Sequence, residues 1–194
     1  GPGTGLGVSG AIYAGDYWVP LQSEGGHISY GPLNERETDV IRVIRAHHHF
    51  VSAESLVSGP GLVLLYESIA KCDGVGHELL SPEQIANKAL KGADALAEEA
   101  VAMFCGILGA IAGNLALTLG ARGGVFVGGG IVPKLGNYFT SSPFRACFEH
   151  NSRFGQYLAE IPTYVISSKY PALIGAAVAV KQQYSYLGVS SVSH

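Results

Sequence analysis

Three short segments of this 194-residue chain hold residue types that can do chemistry. Glu24-Gly25-Gly26-His27, with Glu54 at the end of Val51-Ser52-Ala53-Glu54, offers two carboxylates and an imidazole in glycine-flanked surroundings. A carboxylate accepts from two neighbouring hydroxyls, and a neutral imidazole donates from one nitrogen and accepts at the other, so this set suits a polyhydroxylated ligand. A loop-stabilising carboxylate beside a surface histidine accounts for the same residues. The second segment, Gly1-Pro2-Gly3-Thr4-Gly5-Leu6-Gly7, alternates glycines so that successive backbone N–H groups can converge on an anion, with the Thr4 hydroxyl as a further donor. It is not a dinucleotide fingerprint, because Leu6 stands where the third glycine belongs, and no Lys-Ser/Thr follows to make a Walker loop. A plain tight turn stays open. The third, Gly123-Gly124 with Gly128-Gly129-Gly130, strips away side chains that would keep a flat ring or a phosphate from the backbone. Close packing of a helix on a strand explains it equally well. His47-His48-His49 suggests a metal only at first sight, since adjacent residues at a helix end point in different directions, and it is read as a solvated run.

These segments need elements to position them. Residues 4–13 and 17–21, separated by Ala14-Gly15-Asp16, read as a β-hairpin with the first glycine segment at its entrance. Asn34 and Glu37 have capping-box spacing before Val40, Ile41, Val43 and Ile44, which predicts a helix ending near His47. Gly59-Pro60-Gly61 opens a short helix through Ile69, and Ser81-Pro82-Glu83-Gln84 starts another that runs to about Gly92. A long helix is expected from Ala93 to Leu119, and 123–130 reads as a short buried strand ending in glycines, the place where α/β folds bind ligands. Short helices over 134–139 and 142–150, a strand over Pro162–Ile166 and a helix over Pro171–Leu187 complete one mixed α/β domain.

Composition narrows the function classes. Twelve basic against fifteen acidic residues give a net charge of −3, so no field exists to attract nucleic acid or an anionic membrane. Glycine, at 27 residues, is in excess without any Gly-X-Y period, which removes collagen and low-complexity disorder. A mean hydropathy of +0.26 describes a chain short of polar surface, part of which is expected to face something other than water. Cys72, Cys105 and Cys147 form no CxxC pair and read as reduced thiols. Ala100–Ala121 is uncharged and long enough for a membrane span, but Asn114, the repeated glycines and the lack of flanking basic residues favour a buried core helix.

In chain order, GPGTGLGV, EGGH, VSAE followed by SGPGL, GNLAL and GGVFVGGGIVP resemble the bacterial-type glucokinases of the hexokinase/actin-like ATPase superfamily. The resemblance implies a ribonuclease H-like α/β domain, with a mixed sheet and a long buried helix. It implies transfer of the γ-phosphoryl group of ATP, taken with Mg²⁺, to the 6-hydroxyl of glucose. Carried over position by position, Glu24, His27 and Glu54 are the expected glucose ligands. Gly3, Thr4, Gly5 and Gly7 are the expected second phosphate loop, and Gly128, Gly129 and Gly130 part of the adenosine motif. The clustered His/Cys zinc motif of one branch is missing, so no metal site is expected. Also missing are the Asp-x-Gly-Gly-Thr-Asn loop and the Asn-Asp pair whose Asp is the general base. Residues 1–194 are therefore expected to be the C-terminal large domain alone, cytoplasmic and inactive by itself, with the N-terminal small domain as its partner; a homodimer is left open. The alternative is a non-catalytic sugar- or nucleotide-binding regulator on the same fold.

Overall fold

The computed structural model describes residues 1–15 and 17–186. Strand β1 (Gly10–Tyr13) pairs antiparallel with β2 (Trp18–Leu21), Gly10 opposite Leu21 and Tyr13 opposite Trp18. The hairpin is present as expected, but its first strand is shorter. Residues 1–7 instead fold on themselves through an isolated Pro2–Leu6 bridge. Asp16, expected in the turn, lies outside the described residues.

Helices follow: α1 (Glu35–Arg45), α2 (Ala53–Leu56), α3 (Gly59–Asp73), α4 (Pro82–Leu90) and α5 (Ala95–Leu119). Their starts are written in side chains. The Asn34 carboxamide oxygen accepts the Glu37 N–H at 2.9 Å, and Ser81 and Gln84 close a reciprocal box at α4. Glu37 does not complete the box at α1. It is buried and accepts instead from the Tyr30 hydroxyl at 2.7 Å, the Leu33 N–H at 2.8 Å and the Asn34 side chain at 3.0 Å. Burial and the Glu37 carboxylate push the Tyr30 phenol well above its usual range, so it stays a donor.

The long helix begins two residues later than expected because Asp94 is its cap, accepting from the Leu96 and Ala97 N–H groups. It is the only described helix long and apolar enough to cross a membrane, yet it is largely buried within the protein, packed on α3, α4 and, after the chain returns, α8 (Phe144–Phe148). Its small residues have a positional reason. A Cβ on Gly109 would coincide with the carbonyl of Phe144, and one on Gly113 with that of Phe148, so these glycines let the backbone of α8 lie directly on α5.

Beyond α5 come β3 (Val125–Val127), α6 (Val132–Leu135), α7 (Asn137–Ser141), α8, α9 (Gly155–Ala159), β4 (Thr163–Val165) and α10 (Pro171–Tyr186). Strands β3 and β4 pair in parallel, Val125 with Thr163 and Val127 with Val165. Two readings need correction. The strand is not buried throughout: Val127 is, but Phe126 is exposed and stacks on Tyr164. A single mixed sheet does not form among the described residues; one antiparallel and one parallel pair stand separately, each leaving outer edges unpaired. The four-residue α2 and the helix α9 were not foreseen. Leu187, the expected end of the last helix, lies outside the described residues. Along α10, Leu173, Ile174, Val178 and Val180 are exposed, an apolar helix with no interior of its own.

Candidate functional site

A turn of 3-10 helix over Gly25–His27 follows Glu24, whose carbonyl accepts the His27 N–H at 3.0 Å. The Glu24 carboxylate is free of capping duty and stands almost fully in solvent. The next residues are pinned to α2: the Ala53 N–H donates to the Ile28 carbonyl at 2.8 Å and Ser29 bridges Ser52. Ser52 caps α2 in a reciprocal arrangement with Ser55, placing Glu54 in the first turn. The three expected ligands are thereby brought together. His27 Nε2 lies 3.9 Å from Glu24 Oε2, and His27 Nδ1 lies 4.0 Å from Glu54 Oε1. A central imidazole flanked by two carboxylates presents acceptors on both sides of a position open to solvent.

The glycine loop 1–7 packs against this trio. The Leu6 N–H donates to Glu54 Oε2 at 2.7 Å, and the Leu6 carbonyl lies where a Cβ on Gly26 would stand. The Gly59 N–H, at the start of α3, donates to the Gly3 carbonyl at 2.7 Å. Inside the loop the Gly3 N–H donates to the Gly5 carbonyl at 2.8 Å, so that amide is already engaged. Thr4 is exposed at the loop tip. On the loop's other side is the third glycine segment. Gly129 has φ +93°, and a Cβ there would come within 2.8 Å of the Pro2 carbonyl carbon; one on Gly1 would meet Gly128 at 2.8 Å. Gly130 borders open space. The three glycine segments, far apart in sequence, therefore share one face of the molecule.

Between loop and helices opens a cleft of about 440 Å³ lined by Thr4, Glu54, Ser58, Pro60, Glu67 and His48 among others. Ser58 and Glu67 were not singled out by sequence reasoning, and His48 was read there only as part of a solvated run. The signal for Glu67 is the spacing Pro60, Val63, Leu64, Glu67, one face of a helix turned to the cleft. The histidine run is solvent-exposed as expected, though His47 Nε2 also sits 2.8 Å from Lys71 Nζ.

Comparison with known proteins identifies the family. The glucokinase family profile matches residues 1–183. A glucokinase of Aromatoleum aromaticum is 49% identical over 180 residues, covering 93% of this chain and 54% of the relative. One of Chromobacterium violaceum is 51% identical over 177 residues, covering 91% of this chain and 51% of the relative. The crystal structure of a glucokinase from an Antarctic psychrotroph superposes with a TM-score of 0.87 at 34% identity, over 93% of this chain and 56% of that one. The chain thus spans about half the length of the curated relatives it matches. With a profile match over nearly its whole length and relatives near half identity, the chain belongs to the glucokinase family.

Proposed function

We propose that this chain is the large domain of a glucokinase that transfers the γ-phosphoryl group of MgATP to the 6-hydroxyl of glucose. The observation that carries the reading is the meeting of Glu24, His27 and Glu54 around one solvent-open position, with Thr4 and Glu54 lining the same cleft. Glu24, His27 and Glu54 accept from and donate to the sugar hydroxyls and fix the ring. The Thr4 hydroxyl and the Gly5 and Gly7 amides face the nucleotide phosphates. Gly3 serves by the open space above it, its N–H being engaged within the loop. Gly128–Gly130, with no side chains, make room for the adenosine.

Phosphoryl transfer depends on positioning and charge stabilisation, so both walls of a cleft are required. Here the sugar position is open: the His27 side chain is 59% exposed and that of Glu24 91%. We infer that an N-terminal domain outside this chain supplies the opposite wall and the aspartate that takes the proton from the acceptor hydroxyl. It also covers the bare face of α10. The ribonuclease H-like sheet implied by the resemblance would join the two strand pairs into one. Their open edges, and Gly1 beside Gly128 at the end of β3, support a strand from that missing part standing between them. A non-catalytic regulator on the same fold is not favoured by any observation here.

The test is glucose-dependent ADP formation by the full-length protein and its Glu54→Ala variant. Hydrogen bonds to a charged group are worth about 1.5–3 kcal/mol, so the variant raises the glucose KM roughly 10–100-fold. The KM for MgATP rises less, because the loop keeps its bond to Gly59. An unchanged glucose KM removes Glu54 from the sugar site.

A further inference from the structure

Glu54 does two things at once. Its Oε1 faces His27 at 4.0 Å on the sugar side, while its Oε2 takes the Leu6 N–H at 2.7 Å from the phosphate loop. Gly5 is shaped to this second bond: a Cβ there would stand 2.6 Å from Oε2 and 3.2 Å from the carboxylate carbon. A side chain at residue 5 could not coexist with the carboxylate in its present place, because ordinary contacts between heavy atoms begin at about 3.5 Å. Glu24 and His27, by contrast, make no bond to the loop. The carboxylate is one rigid planar group, so a sugar that pulls or turns it moves both oxygens together.

Resting on the sugar-site reading above, we propose that Glu54 is the positioning residue that couples sugar occupancy to the conformation of the phosphate loop, and that Gly5 is glycine to admit its carboxylate rather than to admit a phosphate. Sugar that fixes Oε1 also fixes Oε2, and through Leu6 it sets the loop that carries Thr4 two residues earlier. Gly5 thus belongs to the sugar site as much as to the nucleotide site. The two substrates then bind with reciprocal synergy, as any coupling between equilibrium affinities must be.

The experiment compares four full-length proteins: wild type, Glu54→Gln, Gly5→Ala and Glu24→Gln. Each is read by the glucose Kd from calorimetry, without nucleotide and with a non-hydrolysable ATP analogue plus Mg²⁺, and by the KM of each substrate. The wild type binds glucose several-fold more tightly with the analogue present. Glu24→Gln raises the glucose KM about tenfold, leaves the KM for MgATP within about twofold and keeps the synergy, as expected for a ligand with no bond to the loop. Glu54→Gln, whose amide offers only one acceptor oxygen, raises both KM values and lowers the synergy towards one. Gly5→Ala raises the glucose Kd about tenfold although no side chain is removed from the sugar. Should Gly5→Ala misfold by circular dichroism, the Glu54→Gln and Glu24→Gln pair decides the matter alone. Synergy at the wild-type level in Glu54→Gln, or a wild-type glucose Kd in folded Gly5→Ala, overturns the coupling while leaving the sugar site intact. A wild type that binds no glucose overturns the sugar-site reading and the coupling together.

Discussion

Replacing Gly129 by alanine puts a methyl group where two glycine segments meet. The new Cβ would lie 2.8 Å from the Pro2 carbonyl carbon and 3.0 Å from that of Gly1, with the Pro2 oxygen closer still. Unstrained carbon–carbon contacts begin near 3.5 Å, so residues 1 and 2 must withdraw by about 1 Å, and since all the atoms met are backbone, no rotamer change relieves them. The φ of +93° adds roughly 1–3 kcal/mol of strain for any residue with a Cβ. A displacement of that size carries the loop holding Thr4 with it, and about 1 Å of misplacement costs on the order of 10²-fold in rate. Steady-state kinetics of the full-length protein should therefore show kcat/KM for MgATP falling about 100-fold, with a melting temperature lower by a few degrees. The glucose Kd without nucleotide changes far less. Gly76→Ala, where the added methyl meets nothing within 4 Å, is the control and behaves as wild type. A Gly129→Ala protein with wild-type melting and wild-type MgATP kinetics would show that the third glycine segment does not support the phosphate loop.

Other consequences are open to simple measurements. Gly109→Ala gains about 1 kcal/mol of helix propensity yet drives a methyl into the Phe144 carbonyl, an overpacking cost of about 1–3 kcal/mol. It lowers the melting temperature, whereas in purified residues 1–194 Gly175→Ala in α10, with open space around it, raises it slightly. Arg36 clips three helices together, with its two terminal nitrogens donating to Asp73 at 2.7 and 2.8 Å and its Nε to Glu99 at 2.6 Å. It holds the Asp73 carboxyl below the usual range, so the stabilisation is present above the ordinary carboxylate pKa of about 4 and is lost as pH falls through the lowered value. Melting curves of Arg36→Ala should accordingly lie a few degrees below wild type near neutral pH and converge with it in acid. Purified residues 1–194 alone, lacking the proposed base, should form ADP with glucose at least about 10²-fold more slowly than the full-length protein in a coupled assay.

Local signals were the legible part of the fold. Ser81-Pro82-Glu83-Gln84 and Asn34 place the starts of α4 and α1 because a cap is decided within four residues. The buried α5 was legible from its uncharged length. Helix α2 was not, since four residues carry no periodicity and its capping partner is Ser55 rather than Glu or Gln. Nor was the division into two strand pairs, because pairing is a long-range property that no strand of three or four residues encodes. At the site, residue types and family resemblance named Glu24, His27 and Glu54, and the structure gathers them. What single residues could not reveal is why certain glycines stand where they do: Gly5 faces a carboxylate 49 positions away, and Gly129 faces the carbonyl of Pro2. Both are contacts between segments that share nothing in sequence. Glu67, and the place of His48 in the cleft, stayed hidden for the same reason, since they come together only once α1 and α3 are packed.

The most direct test of the sugar site is a crystal structure of the full-length protein grown with glucose. Sugar hydroxyl oxygens should lie within about 3.2 Å of the Glu24 and Glu54 carboxylates and of a His27 ring nitrogen, with the Leu6 N–H still on the other Glu54 oxygen. Glucose bound elsewhere, with those three side chains left to solvent, would contradict the assignment.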